Sequence, residues 1–392
     1  MAKCEVSVIL DEPDKTYAPG EKVTGRVKVK VDEPCACKKI TATFGWETSG
    51  RGNTRSSLVE NALVSETTLQ PGEHVYPFAF EIIANTQDEM PDIQGAISDN
   101  VKNERVRKAL QDAVGSPAAP LSKLMQGMAF SKSLPGPFTY RGQALNINWL
   151  VRAQAHIPWK ADARAEKIIT VLPGKEPPVG YNLKRTPSEH KENEASNQWM
   201  KGCLFVCLLF IASGAAVGFA FFSGMKLKFL DDIAGFVFIF SIIGIVGAVY
   251  FIKKLLVSAK IASVSVQMDS SVVVPGDKIT CVLSFQGKSA LYLDNVSALL
   301  EAKEVVVSGS GKNKSTHTRK VFTKDVELSP ARELYAGQPL RLQKEIQIPQ
   351  EAPYSIGVYN NVLEWNLYFR IRIKRWPDWT HAERLHVVPW AL

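Results

Sequence analysis

Apolar and polar positions alternate with a period of two through both ends of this chain. Val23–Val29 and Ile279–Phe285 read this way. So does Trp149–Ile157, where Trp149, Val151, Ala153, Ala155 and Ile157 alternate with Leu150, Arg152, Gln154 and His156. Trp365, Leu367, Phe369, Ile371 and Ile373 alternate in turn with Asn366, Tyr368, Arg370, Arg372 and Lys374. Successive strand side chains point to opposite faces, so the pattern predicts antiparallel sheets packed on one side. In the middle the rhythm fails. Residues 202–223 and 233–252 carry no charge and are rich in Leu, Ile, Val and Phe. Each run is about the 20 residues needed to cross a hydrocarbon core of ~30 Å, and core helices rarely run so far without a polar face. A two-helix transmembrane hairpin over 201–254 is the expectation.

The segments flanking the hairpin repeat one another. Pro19-Gly20-Glu21-Lys22-Val23-Thr24 in the first matches Pro275-Gly276-Asp277-Lys278-Ile279-Thr280 in the second. Each is a Pro-Gly turn feeding a strand. Counted from Trp149 and Trp365, Asp162 and Asp378 both fall at +13, and Pro173 and Pro389 both at +24. The distance from Gly20 to Trp149 is 129 positions and that from Gly276 to Trp365 is 89, so the first copy holds about 40 more residues. These lie at about 92–134, where Ile97, Val101, Leu110 and Val114 share a helical face and Lys102, Arg105, Arg107 and Lys108 lie elsewhere on the helix. That basic helical insertion is either a contact with membrane or partner or a cap over a sheet edge.

The resulting domain plan is a β-sandwich at 1–173 with the insertion, a flexible linker at 174–200 rich in Pro, Glu, Lys and Asn, the hairpin, and a second sandwich at 261–392. Only a short connection separates the two apolar runs, so the helices are expected to be antiparallel with both soluble parts on one side. Lys201, Lys253, Lys254 and Lys260 flank the outer ends, and Lys226 and Lys228 the loop. The positive-inside bias places both sandwiches in the cytoplasm. Gly214 with Gly218, and Gly244 with Ala248, are small-residue steps suited to close helix packing in a membrane.

The opening Tyr17-Ala18-Pro19-Gly20-Glu21-Lys22-Val23-Thr24-Gly25 resembles the start of an arrestin-type N-domain. The segments Gly72–Ile82 and Leu134–Phe138, and the Trp149-Leu150-Val151-Arg152-Ala153 strand, are similar to later segments of such domains in that superfamily, which includes the arrestin-like subunit of retromer. The second copy keeps Gln347-Ile348-Pro349 and Pro353-Tyr354-Ser355-Ile356 before Trp365. The resemblance implies two arrestin-like, immunoglobulin-like β-sandwiches that act as an adaptor or scaffold for protein segments or membrane-protein tails. It includes no catalytic motif. The hairpin is not part of that pattern, and the superfamily's phosphate-sensing charges have no counterpart that can be placed here.

Composition sharpens the picture in two respects. The net charge of +8 and pI of 9.0 suit a protein beside anionic lipid or acidic segments. Nucleic acid is not expected, for no zinc-ligand spacing or aromatic RNA-binding signature accompanies the charge. The six cysteines form no disulfide framework and suggest a reducing compartment. No catalytic residue, metal or cofactor is expected. The Gly-rich Ser308–Ser315 stretch lacks the Gly-Lys-Ser/Thr of a phosphate loop and reads as a hairpin tip. Asp162 and Asp378 fit either a turn-capping role or a shared ligand site, and His381, His386 and Glu383 either a strand face or a carboxylate–histidine cluster. Arg370, Arg372, Lys374 and Arg375 form a basic stripe, the best partner-binding candidate. The expected function is therefore a membrane-anchored, non-enzymatic adaptor with protein partners. The alternative is a self-associating structural subunit, a homo-oligomer of a membrane complex.

Overall fold

The computed structural model describes residues 4–83, 137–158, 162–178, 181, 183–191, 195–222 and 228–391. The first part of the chain runs through β1 (Cys4–Leu10), β2 (Thr16–Tyr17), β3 (Lys22–Val31), β4 (Cys35–Gly50), β5 (Ser56–Leu69), β6 (Gly72–Glu81), β7 (Tyr140–Arg141), β8 (Leu145–His156) and β9 (Ala163–Val171). These form two sheets, ordered β1-β3-β6 and β2-β9-β8-β4-β5, with β7 on β8. Their apolar faces close on one another. Phe44 of one sheet stacks on Phe80 of the other at 5.2 Å between centroids and tilts against Trp149 at 5.6 Å.

After β10 (Ser188–Lys191) come α1 (Ala195–Phe222) and α2 (Lys228–Lys260). The second part then runs through β11 (Ile261–Met268), β12 (Val272–Val273), β13 (Lys278–Gly287), β14 (Leu291–Ser308), β15 (Ser315–Ser329), β16 (Arg332–Leu334), β17 (Pro339–Gln347), β18 (Ile356–Val358), β19 (Asn361–Ile373) and β20 (Trp379–Val387). Its sheets are β10-β11-β13-β17 and β12-β20-β19-β14-β15, with β16 on β14 and β18 on β19. Apart from β10 and β16, this is the strand order of the first part. The chain is mainly β, two sandwiches of one topology.

Local chemistry explains the repetition. Gly20 and Gly276 stand at φ +84° and +88°, the left-handed region that the third position of a type II turn requires and only glycine adopts without strain. The acid after each glycine caps its turn: Glu21 accepts from the Ala18 N–H at 2.7 Å, and Asp277 from that of Val274 at 2.9 Å. The Trp149 indole donates to the Pro137 carbonyl at 3.0 Å and the Trp365 indole to that of Pro353 at 2.9 Å. Thus a buried tryptophan with a polar edge is satisfied in the same way twice.

The helices lie antiparallel. The Ser241 hydroxyl donates to the Phe210 carbonyl at 3.0 Å, and a Cβ at Gly244 would stand 2.9 Å from the Cys207 carbonyl oxygen. They are longer than the uncharged runs. In particular α2 continues through Lys260 into β11 without an intervening linker. Among the described residues, one helical segment, Ile239–Lys260, is long and apolar enough to cross a membrane. The described part of α1 also carries an apolar stretch, Lys201–Val217. Phe205, Leu209, Ile239, Ile243 and Val246 are more than half exposed, so the pair is not the core of the sandwiches.

The linker departs from the free segment expected at 174–200. Residues 188–191 pair antiparallel with β11, Arg185 forms an ion pair with Asp277 at 2.8 Å, and Tyr181 packs edge-on against Trp390. Polar composition hid this, because a strand can dock through its backbone without apolar side chains of its own. The insertion at 92–134, with Lys102, Arg105, Arg107 and Lys108, lies outside the described residues.

Candidate functional site

The basic stripe occupies the outward face of β19. Alternation buries Phe369, Ile371 and Ile373 and leaves Arg370 and Arg372 exposed. Lys374 and Arg375 are exposed in the turn after the strand, Arg375 at φ +65°. The four cations are not equivalent. Arg370 directs Nε and a terminal nitrogen at the Asp378 carboxylate, the former at 2.7 Å, so its charge is largely matched. Asp378 thus holds its own strand, as Asp162 does by accepting from the Gln154 amide at 2.6 Å and the Ile157 N–H at 3.3 Å. Gln154 and Arg370 stand at the same place relative to Trp149 and Trp365. The repeated aspartates therefore act in the fold. Those same partners hold the Asp162 carboxyl below the usual carboxylate range against the opposing effect of desolvation.

Arg372, Lys374 and Arg375 carry the stripe toward the end of α2. Lys374 Nζ lies 4.9 Å from the centroid of the Tyr292 ring, and Lys260 Nζ lies 4.4 Å from that of Trp376. The Lys288 N–H donates to the Lys260 carbonyl at 2.8 Å, fastening the β13–β14 turn to the helix end. The Gly337 N–H donates to the Gly287 carbonyl at 2.7 Å, bringing up the turn with Tyr335, which is 64% exposed. One end of the second sandwich thus gathers exposed Lys288, Lys374 and Arg375 with exposed Tyr335, Tyr292 and Trp376 where α2 leaves it. The first copy lacks this feature. Gln154, His156 and Pro158 stand where Arg370, Arg372 and Lys374 stand in the second.

A second site is the seam between the sandwiches. Glu304 on β14 is fully buried. It accepts from the Tyr140 hydroxyl at 2.8 Å and from the Gln143 and Ala144 N–H groups at 3.2 and 2.7 Å. Burial, together with this carboxylate, pushes the Tyr140 hydroxyl far above its usual range. In the reverse direction, Asn361 of the second sandwich donates to the Asn53 carbonyl at 2.8 Å and the Thr48 hydroxyl at 3.3 Å. Asn53 and Gly309 exchange two hydrogen bonds, of 2.8 and 3.0 Å. Asn53 and Gly309 are 256 positions apart, the offset of the two Pro-Gly turns (276 − 20). Corresponding positions meeting one another is the mark of a local two-fold arrangement. None of these residues stood out in sequence, since Glu304 and Thr48 read as ordinary strand positions.

The remaining candidates occupy the helices and the cores. Gly244 and Ala248 lie on the face of α2 toward α1, Ala248 being 5% exposed. Gly214 and Gly218 lie on α1. Cys4, Cys37 and Cys281 are buried thiols, and desolvation raises their pKa values, Cys281 to about 12, so they are unreactive. Among the described residues, one group has the makings of a metal site: His190, His381 and Glu383 bring three donor atoms within 4.8 Å of one another.

No protein-family model matches the chain. No match was found among curated proteins. Among solved structures, the sporulation control protein Spo0M from Bacillus subtilis is similar at 13% identity with a TM-score of 0.27. The match takes in 33% of this chain and 49% of Spo0M, and at that score it carries no functional argument.

Proposed function

We propose that the protein is a membrane-anchored, non-enzymatic adaptor or scaffold, with two arrestin-like sandwiches held at the cytoplasmic membrane surface by the helical hairpin. The observation that carries this reading is the end of the second sandwich. A helix with an outward apolar surface leaves it among exposed lysines, an arginine and three aromatic side chains. Water disfavours large exposed apolar patches. Tyrosine and tryptophan are enriched where a chain meets lipid headgroups, and basic residues there gain about 1 kcal/mol each from anionic lipid.

In this reading Arg372, Lys374 and Arg375 set the second sandwich against the bilayer, Gly244 and Ala248 pack the hairpin, and the seam makes the first sandwich move with the second. The sandwiches then present sheet surfaces to protein segments or membrane-protein tails. Cross-linking in native membranes, and then purification in mild detergent, tests the adaptor role. A protein partner in fixed proportion to the chain is expected. Recovery of the chain cross-linked to itself alone would contradict the adaptor role and favour the self-associating subunit.

A further inference from the structure

Strand alternation puts three ionisable side chains where the sandwich calls for apolar ones. On β10, Ser188 and His190 face Met268 and Val266 of β11, both buried, so they point into the sandwich, while Glu189 and Lys191 point out and pair with each other at 2.7 Å. On β20, His381 and Glu383 lie opposite the fully buried Phe369 and Leu367, between Trp379 and Leu385 on the same inner face. The two strands belong to different sheets, so their inward residues meet across the edge of the sandwich. The imidazoles of His190 and His381 stack at 3.9 Å, the Trp379 ring lies nearly parallel to that of His381 at 5.9 Å, and His381 Nε2 is 2.6 Å from a Glu383 oxygen.

The geometry points to a binding site for one divalent transition-metal ion of the zinc class, held by His190, His381 and Glu383, that pins the strand leading into α1 to the second sandwich. Two imidazoles and a carboxylate are a zinc donor set, with a fourth position left for water. A zinc ion with bonds of about 2.0–2.1 Å holds its ligand atoms roughly 3.3 Å apart; the three donor atoms lie within 4.8 Å of one another, and binding turns the stacked imidazoles so that both ring planes meet the ion and opens the His381–Glu383 contact. The other Glu383 oxygen accepts from the Ser188 hydroxyl at 2.9 Å, the kind of outer partner that orients a ligating carboxylate. The metal has a structural task. β10 brings the sequence Ser-Glu-His-Lys and no apolar side chain, so a bond through His190 anchors it where packing does not. Such a site is independent of whether the helices cross a membrane.

The test uses the full chain in detergent, stripped with a chelator and titrated with Co²⁺. One equivalent should bind, with visible absorption bands that Zn²⁺ abolishes, and Zn²⁺ should slow amide exchange of residues 188–191 at least tenfold. His190→Ala and His381→Ala should each lose the bands, whereas His74→Ala and His317→Ala should keep them. His190→Cys should restore binding and add a thiolate-to-cobalt band in the near ultraviolet, a signature that a purely packing role cannot produce. Wild-type protein that shows no cobalt bands, or bands that persist unchanged in His190→Ala, would overturn the site.

Discussion

Phe138 and Tyr354 meet edge to face across the seam, their ring centroids 6.0 Å apart. They are separated by 216 positions, the offset of Trp149 and Trp365 (365 − 149), so each copy contributes an aromatic ring from the corresponding position to one contact. Edge-to-face pairs contribute about 0.5–1.5 kcal/mol beyond their burial. A double-mutant cycle with Phe138→Ala and Tyr354→Ala should return a coupling of that size in denaturant unfolding. Additive effects would show that the sandwiches do not rely on this contact.

Glu304 should matter more. Replacing it with Ala leaves the Tyr140 hydroxyl and the Gln143 and Ala144 N–H groups without their acceptor, and each such group that is buried costs about 1–3 kcal/mol when unsatisfied. We expect Glu304→Ala to lower stability by several kcal/mol, or to release the seam and raise amide exchange at residues 140–145. Exchange unchanged there would refute this role.

Gly142 tests the closeness of the same contact. A Cβ there would overlap the Glu304 carboxylate. Overpacking of this kind typically costs about 1–3 kcal/mol. Gly142→Ala should therefore destabilise the wild type and cost clearly less in a Glu304→Ala background, where only the Tyr140 ring still meets the added Cβ, measured by thermal unfolding of the single and double variants.

His386 makes stability depend on pH. Burial lowers its pKa from 6.5 to about 3, so the folded chain keeps it neutral while the unfolded chain protonates it near 6.5. Its contribution is complete above pH 6.5 and is lost progressively as the pH falls from there toward 3. The slope is about 1.4 kcal/mol per unit, or roughly 2 kcal/mol by pH 5. His386→Gln should flatten the stability profile between about pH 7 and pH 5, and an unchanged profile would assign the dependence to other groups.

The basic end of the second sandwich should respond to lipid charge. In nanodiscs containing anionic lipid, residues 372–376 should exchange their amides more slowly than in zwitterionic ones, and Lys374→Glu with Arg375→Glu should remove the difference. Arg370→Ala should change it less, because Asp378 already matches that charge. Equal exchange in both lipids would dissociate the stripe from the membrane.

Much of the fold was legible because its determinants are local. The two Pro-Gly turns, the Trp-bearing strands and the paired aspartates are turn and alternation signals that a chain carries in consecutive residues. The stripe from Arg370 to Lys374 was legible for the same reason, although the share of it neutralised by Asp378 was not. The features that sequence concealed depend on non-local meetings. Glu304 acquires its role only when the β7–β8 turn of the other copy closes on it, and His190 only when a polar tetrapeptide docks by its backbone beside β11. Neither event leaves a periodic trace in the residues concerned.

A hairpin that crosses a bilayer, with both sandwiches on one side, is central to the proposed function. Single cysteine reporters at Ser65, Ser310 and Gly224, in a cysteine-free background and in sealed vesicles of known orientation, test this with a membrane-impermeant maleimide. We predict that Ser65 and Ser310, exposed on the first and second sandwich, are labelled from the cytoplasmic side only, and Gly224, between the helices, from the opposite side only. Labelling of all three from the same side would show that the hairpin does not span the membrane and would contradict the proposed function.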